Sequence, residues 1–221
     1  MSYFIECCCQ CAADARIAEA HGASRIELCE DLANDGVTPS EENIRETLLA
    51  VAIPVNVLIR CRAGRFVYTD EEVETMVRSI AFCRSLQVCT AEGDVRKVNA
   101  VVIGALDEEG NVDEYALMRM LAEVRRPDSS LAITFHRAFD VCRNPLEAYS
   151  LINTLGIERI LTSGHAPSAV EGSALLAALV EHSRNCSTQI LVGGGVRPSN
   201  IDLLVADTAA GEYHSSYLLW D

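Results

Sequence analysis

Long apolar runs, basic charge and helix-breaking residues are what this sequence has least of. No window approaches the ~18 consecutive apolar residues of a membrane-spanning helix. The opening MSYFIECCC carries neither a basic stretch nor the long apolar segment of a secretory signal. Only 18 Lys and Arg stand against 32 Asp and Glu, a formal net charge of −14. That balance repels the phosphates of nucleic acid and anionic membrane surfaces, so neither is an expected partner, and the predicted location is the cytoplasm. Glycine and proline are sparse, at 13 and 6 residues, while 49% of the chain is hydrophobic. A sizeable core can therefore form, and disorder is not expected. Also missing are a G-x-S-x-G elbow, a G-x-x-x-x-G-K-[ST] loop, an H-E-x-x-H pair and a G-x-G-x-x-G after the first strand. Nucleotide-driven chemistry and serine hydrolysis lose their usual footholds with them.

Cysteine, by contrast, is abundant, with 10 residues in 221. In a small secreted chain that number would read as a disulfide framework. In a chain of this length without an export signal it reads as reduced thiols, some packed as small hydrophobes and some free to bind metal.

Short apolar runs recur between longer helical patterns. They give eight strand candidates: Phe4 to Cys9, Arg25 to Cys29, Val55 to Ile59, Ala100 to Ile103, Leu131 to Phe135, Arg159 to Leu161, Gln189 to Val192 and Glu212 to His214. Between them, Thr38-Pro39 with Glu41, Thr69 with Glu72, and Asn144-Pro145 with Glu147 read as helix-starting capping boxes. Eight alternating units in about this length predict a (β/α)8 TIM-type barrel, one domain over residues 1–221. After His214 only seven residues remain, so the final covering helix is expected to be missing or the barrel to close irregularly.

Barrel sites lie where the strands end at their C-terminal face. Because side chains alternate along a strand, Glu6 shares a face with Cys8, Glu27 with Cys29, Asn56 with Leu58 and Arg60, and Thr134 with His136, while His214 ends the eighth strand. If these faces point inward, Glu6, Glu27, Arg60, His136 and His214 converge on one mouth. Arg60 is then expected to bridge the two carboxylates, since a buried charge needs a partner. The cluster reads either as paired structural charge or as catalytic acid–base chemistry.

Gly193, Gly194 and Gly195 end the seventh strand ahead of a helix beginning near Pro198 or Ser199, the place where barrels commonly hold phosphate. Thr162 and Ser163 could add donors for such an anion. Cys8 and Cys29 end adjacent strands with the same parity, so their sulfurs are expected within about 8 Å, close enough for Cu(I), a soft cation that two thiolates satisfy. Zinc is not expected: Cys8 and Cys11 form one C-x-x-C, and no second pair follows at suitable spacing.

The stretches RIELCEDLANDGVTPS, LIRCRAGRFVYTDEE, ITFHRAFDVCRNPLEA, RILTSGHAPSAVEG, GGGVRPSNI and EYHSS, in that order, resemble the CutC copper-homeostasis family. The resemblance runs from about Ile5 to Ser216. It implies a TIM-type barrel, a cytosolic setting, a copper link and self-association, with a dimer as the simplest homo-oligomer. It carries the family's polar signature onto Glu6, Glu27, Arg60, Arg62, His136, Arg137, Asp140 and His214, and its barrel cysteines onto Cys8 and Cys29. Arg62, Arg137 and Asp140 thereby join the anion-binding candidates. Two departures stand out: Cys61 falls inside the loop after the third strand as a possible third sulfur, and the segment from Leu86 to Lys97 is longer than the family's connection. Two functions stay open, Cu(I) buffering through the thiols and catalysis on a small anionic metabolite at the mouth.

Overall fold

The computed structural model describes residues 3–216. In chain order the elements are β1 (Phe4–Cys9), α1 (Ala12–Ala20), β2 (Arg25–Leu28), α2 (Glu41–Ala50), β3 (Val55–Leu58) and α3 (Asp70–Ser85). A short hairpin follows, β4 (Val88–Cys89) and β5 (Val95–Arg96), and then β6 (Ala100–Ile103), α4 (Glu114–Val124), β7 (Ala132–Phe135) and α5 (Pro145–Thr154). The chain continues through β8 (Arg159–Thr162), α6 (Ser173–Ser183), β9 (Gln189–Val192), α7 (Ile201–Thr208) and β10 (Glu212–Ser216). Eight parallel strands close a barrel in the order β1-β10-β9-β8-β7-β6-β3-β2, the expected TIM-type architecture. All eight strands expected from the sequence are present. The extra length between Leu86 and Lys97 is taken up by the antiparallel β4–β5 hairpin outside the barrel. The covering helix expected to be missing after β10 falls on residues 217–221, outside the described residues.

Local chemistry sets the helix starts. Thr69 and Glu72 form a reciprocal capping box that opens α3, as the sequence predicts. Asn144 caps α5 with Pro145 in the first turn, but Glu147 is held by the Asn144 side-chain amide at 2.8 Å. The Thr38 reading is corrected: Ser40 caps α2, and the Thr38 hydroxyl accepts the Arg60 backbone N–H at 2.7 Å. Likewise α7 starts at Ile201, later than Pro198 or Ser199.

Parallel strands wrapped by helices are covered on both faces, and alternation then separates two environments. Cys7 and Cys9, both fully buried, pack into the main apolar core, whereas Cys8 joins Cys29, Leu58 and Val102 in a smaller cluster. The barrel interior itself is largely ionic. Arg25 donates to Glu6 at 2.5 Å and to Glu212 at 2.7 Å, and Arg159 donates to Glu212 at 2.9 Å. Asn56 adds a bond to Glu6 at 2.9 Å and takes one from Asn99 at 2.8 Å. Glu6 and Arg25 thus neutralise one another out of solvent, the condition for burying charge, while Glu212 and Arg159 extend the network to partly exposed positions.

Candidate functional site

Strand register brings the candidate residues together. Glu6 pairs with His214 across β1–β10 and with Arg25 across β1–β2, while Cys8 pairs with Glu27. His214 Nδ1 stands 2.8 Å from Glu6 Oε1 and 3.3 Å from Glu27 Oε2. Burial disfavours the imidazolium, but Glu27 and Glu6 outweigh it and carry the His214 pKa up to about 9. Burial likewise disfavours the Glu6 carboxylate, yet His214 and Arg25 hold its pKa at about 2. Among the described residues Glu27 receives no hydrogen bond at Oε2, and burial lifts its pKa to about 7 against the pull of His214. Glu6, Glu27 and His214 place three donor atoms within 4.8 Å of one another, enough in principle for a divalent cation. Both Glu6 oxygens are already bonded, however, so the group is an internal ion network.

Above this network lies a cavity of about 370 Å³ lined by Cys8, Glu27, Cys29, Arg60, His136, Arg137, Asp140, Gly194, Gly195 and His214, among others. The Cys8 and Cys29 sulfurs face each other across 3.4 Å, well inside the expected limit and on the same side of the sheet. Both are buried. Contact with Cys29, then burial and Glu27, pushes the Cys8 thiol well above the ordinary range. Leu58 and Val102 pack around the pair, and Leu32 covers it. Gly36, at φ +79°, lets its loop approach to where a Cβ would stand 3.4 Å from the Cys29 sulfur. Two thiols with apolar walls fit a soft, low-charge ion, because thiolate donors select Cu(I). Cys61 does not complete a three-ligand group with them, so the possible third sulfur is not found among the described residues.

Several roles expected from the sequence change in three dimensions. Arg60 does not bridge Glu6 and Glu27. It sits beyond β3, where its Nη atoms donate to the backbone carbonyls of Asn34, Asp35, Gly36 and Gly64. The arginine bonded to Glu6 is Arg25, which bridges it to Glu212 rather than to Glu27 and which parity could have found, since it lies two residues before Glu27. Arg62 is not at the cavity: it clasps Glu72 at 2.5 and 3.0 Å and bonds the carbonyls of Arg65 and Val67. Thr162 and Ser163 do not offer their donors to a ligand, because the Asp140 carboxylate already takes the Thr162 hydroxyl, the Ser163 amide and hydroxyl, and Arg137 Nε. Asp140 is thus an internal anion rather than a binder of one.

His136 is fixed by its neighbours. Its Nδ1 accepts the Ala138 amide at 3.1 Å, which leaves the proton on Nε2, and that atom has no partner among the described residues. Burial, with Arg60 adding to it, drops the His136 pKa to about 3, so the ring is neutral. A Cβ at Gly104 would stand 2.5 Å from His136 Cε1, so the ring occupies space that only glycine leaves. Gly104→Ala should therefore cost about 1–3 kcal/mol through overpacking alone. Guanidinium unfolding checks this, and an unchanged midpoint would show that the ring moves aside freely.

Comparison with known proteins agrees with the motif order. The sequence model of the CutC family matches residues 3–218. A protein from Parabacteroides distasonis, described as family protein CutC, is 42% identical over 98% of this chain and 83% of its own length. A human protein described as copper homeostasis protein cutC homolog is 38% identical over 97% of this chain and 73% of its own. A crystal structure from Streptococcus agalactiae, described as a copper homeostasis protein CutC, superposes with a TM-score of 0.85 at 30% identity, covering 99% of this chain and all of that one. A near-complete family match, relatives at this identity and the same closed barrel together place the chain in the CutC family.

Proposed function

We propose that the protein binds Cu(I) as cargo through Cys8 and Cys29, buffering or handing on the ion in the cytoplasm. The observation that carries this reading is the pair of sulfurs 3.4 Å apart in the wall of an accessible cavity. Supporting it, the relatives named for copper homeostasis match nearly the whole of this chain, and the solved one shares its fold. All ten cysteines are unpaired with one another as disulfides, which suits a reducing compartment, and no helix among the described residues is long and apolar enough to cross a membrane.

Binding replaces two S–H bonds by two S–Cu bonds and releases two protons, so the raised Cys8 thiol makes affinity fall as pH falls. An anaerobic titration against a chromogenic Cu(I) chelator should show one ion held per chain. Cys8→Ser and Cys29→Ser should each surrender it to the chelator. Retention of copper by both single variants would place the ion elsewhere and sink the proposal.

A further inference from the structure

The same cavity holds a second set of unused groups, and they are not sulfur. Arg60 and His136 are 3% and 5% exposed, and each leaves one buried donor unbonded among the described residues, Arg60 Nε–H and His136 Nε2–H. A buried donor without an acceptor costs free energy unless something completes it. The two side chains sit on either side of Phe66, with the guanidinium 4.8 Å from the ring centre and the imidazole ring 4.9 Å from it. Both side chains line the cavity, while the two donor atoms themselves are shielded from solvent.

Two glycines and Arg137 belong to the same lining. Gly194 and Gly195 follow β9 with φ +98° and +75°. Among the described residues no hydrogen bond engages either backbone N–H. A Cβ at Gly194 would stand 2.7 Å from Ser163 Cβ and 3.6 Å from the Arg137 guanidinium carbon, so the glycine backbone packs closely on Ser163 with the guanidinium beside it. Arg137 gives Nε to Asp140 and one Nη to Ser163, which leaves Nη1 without a partner among the described residues. Consecutive unbonded amides beside an arginine with a free N–H give an anion several donors, at the strand end where barrels place phosphate.

We propose that the barrel mouth binds a small phosphomonoester, its phosphate held by Arg137 and the Gly194 and Gly195 amides and its body lying against the cavity wall formed by Arg60 and His136. This is independent of copper, since no sulfur takes part, and the cavity of about 370 Å³ has room for a small metabolite.

The test uses the full copper-free chain with glycerol 3-phosphate, inorganic phosphate and acetate as probes. Amide NMR should show the Gly194 and Gly195 resonances moving with both phosphates and not with acetate, and glycerol 3-phosphate should bind more tightly than phosphate alone. Arg137→Met should weaken both by about tenfold or more, Arg137→Lys by less, and the Cys8→Ser/Cys29→Ser double variant should bind like wild type. Unmoved glycine amides, equal binding by Arg137→Met, or equal shifts with acetate would each overturn the proposal. Loss of copper with phosphate binding intact, or the reverse, separates its failure from that of the copper reading.

Discussion

Replacing Arg25 by methionine should destabilise the protein by about 3–5 kcal/mol, the cost of breaking a buried ion pair from one side. Arg25 is 3% exposed and carries, among the described residues, the only guanidinium bonded to Glu6, which is fully buried. Methionine matches much of the volume but donates nothing, so Glu6 would keep Asn56 and His214 and lose its guanidinium partner. Glu212 would fall back on Arg159 alone. The Glu6 pKa should rise at the same time, because Arg25 is one of the two charges holding it down. Arg60→Met is the control: it removes four backbone contacts around the Asn34 and Gly64 loops and leaves the carboxylates untouched. Guanidinium denaturation of the three proteins gives the comparison. A loss below about 1 kcal/mol for Arg25→Met would mean that water reaches the barrel interior and screens it.

Stability of the copper-free protein should fall on the alkaline side, by roughly 2–3 kcal/mol between pH 6 and pH 9. His214 drives this. Its pKa stands at about 9 in the fold against 6.5 without it, so the stabilisation is fully present below pH 6.5 and is lost as pH rises through 9. Glu27 acts in the same direction at lower pH: its neutral form is favoured in the fold, and that contribution drains away between pH 4.5 and about 7. Glu6 works in the opposite direction, its stabilisation present above pH 4.5 and lost toward pH 2. The maximum is therefore expected at mildly acidic pH. Denaturation midpoints for wild type and His214→Asn show the effect directly: the variant should lose most of the slope between pH 6 and 9. An unchanged slope would assign it to other groups.

Much of this barrel was legible in the sequence because short buried strands punctuated by caps leave a strong pattern. Parity alone placed Cys8 and Cys29 on one face and gathered Glu6, Glu27 and His214. Depth was the missing coordinate. Arg25 and Arg60 have the same parity on neighbouring strands, yet register sets Arg25 beside Glu6, whereas Arg60 lies past the end of β3, where loop carbonyls reach it first. Competition for donors was the second gap. Asp140 looks like part of an anion site because it stands among Thr162, Ser163 and Arg137. A carboxylate is itself an anion, and here it fills the position. The unbonded donors of Arg60 and His136 could not be read from sequence at all, since being unpaired depends on every neighbouring side chain.

X-ray absorption at the copper edge on protein loaded with one equivalent of Cu(I) tests the copper reading most directly. Scattering from two sulfur atoms, lost in the Cys8→Ser/Cys29→Ser variant, is the expected result. A first shell made of nitrogen and oxygen, with the ion bound instead at His214 and Glu27, would contradict it.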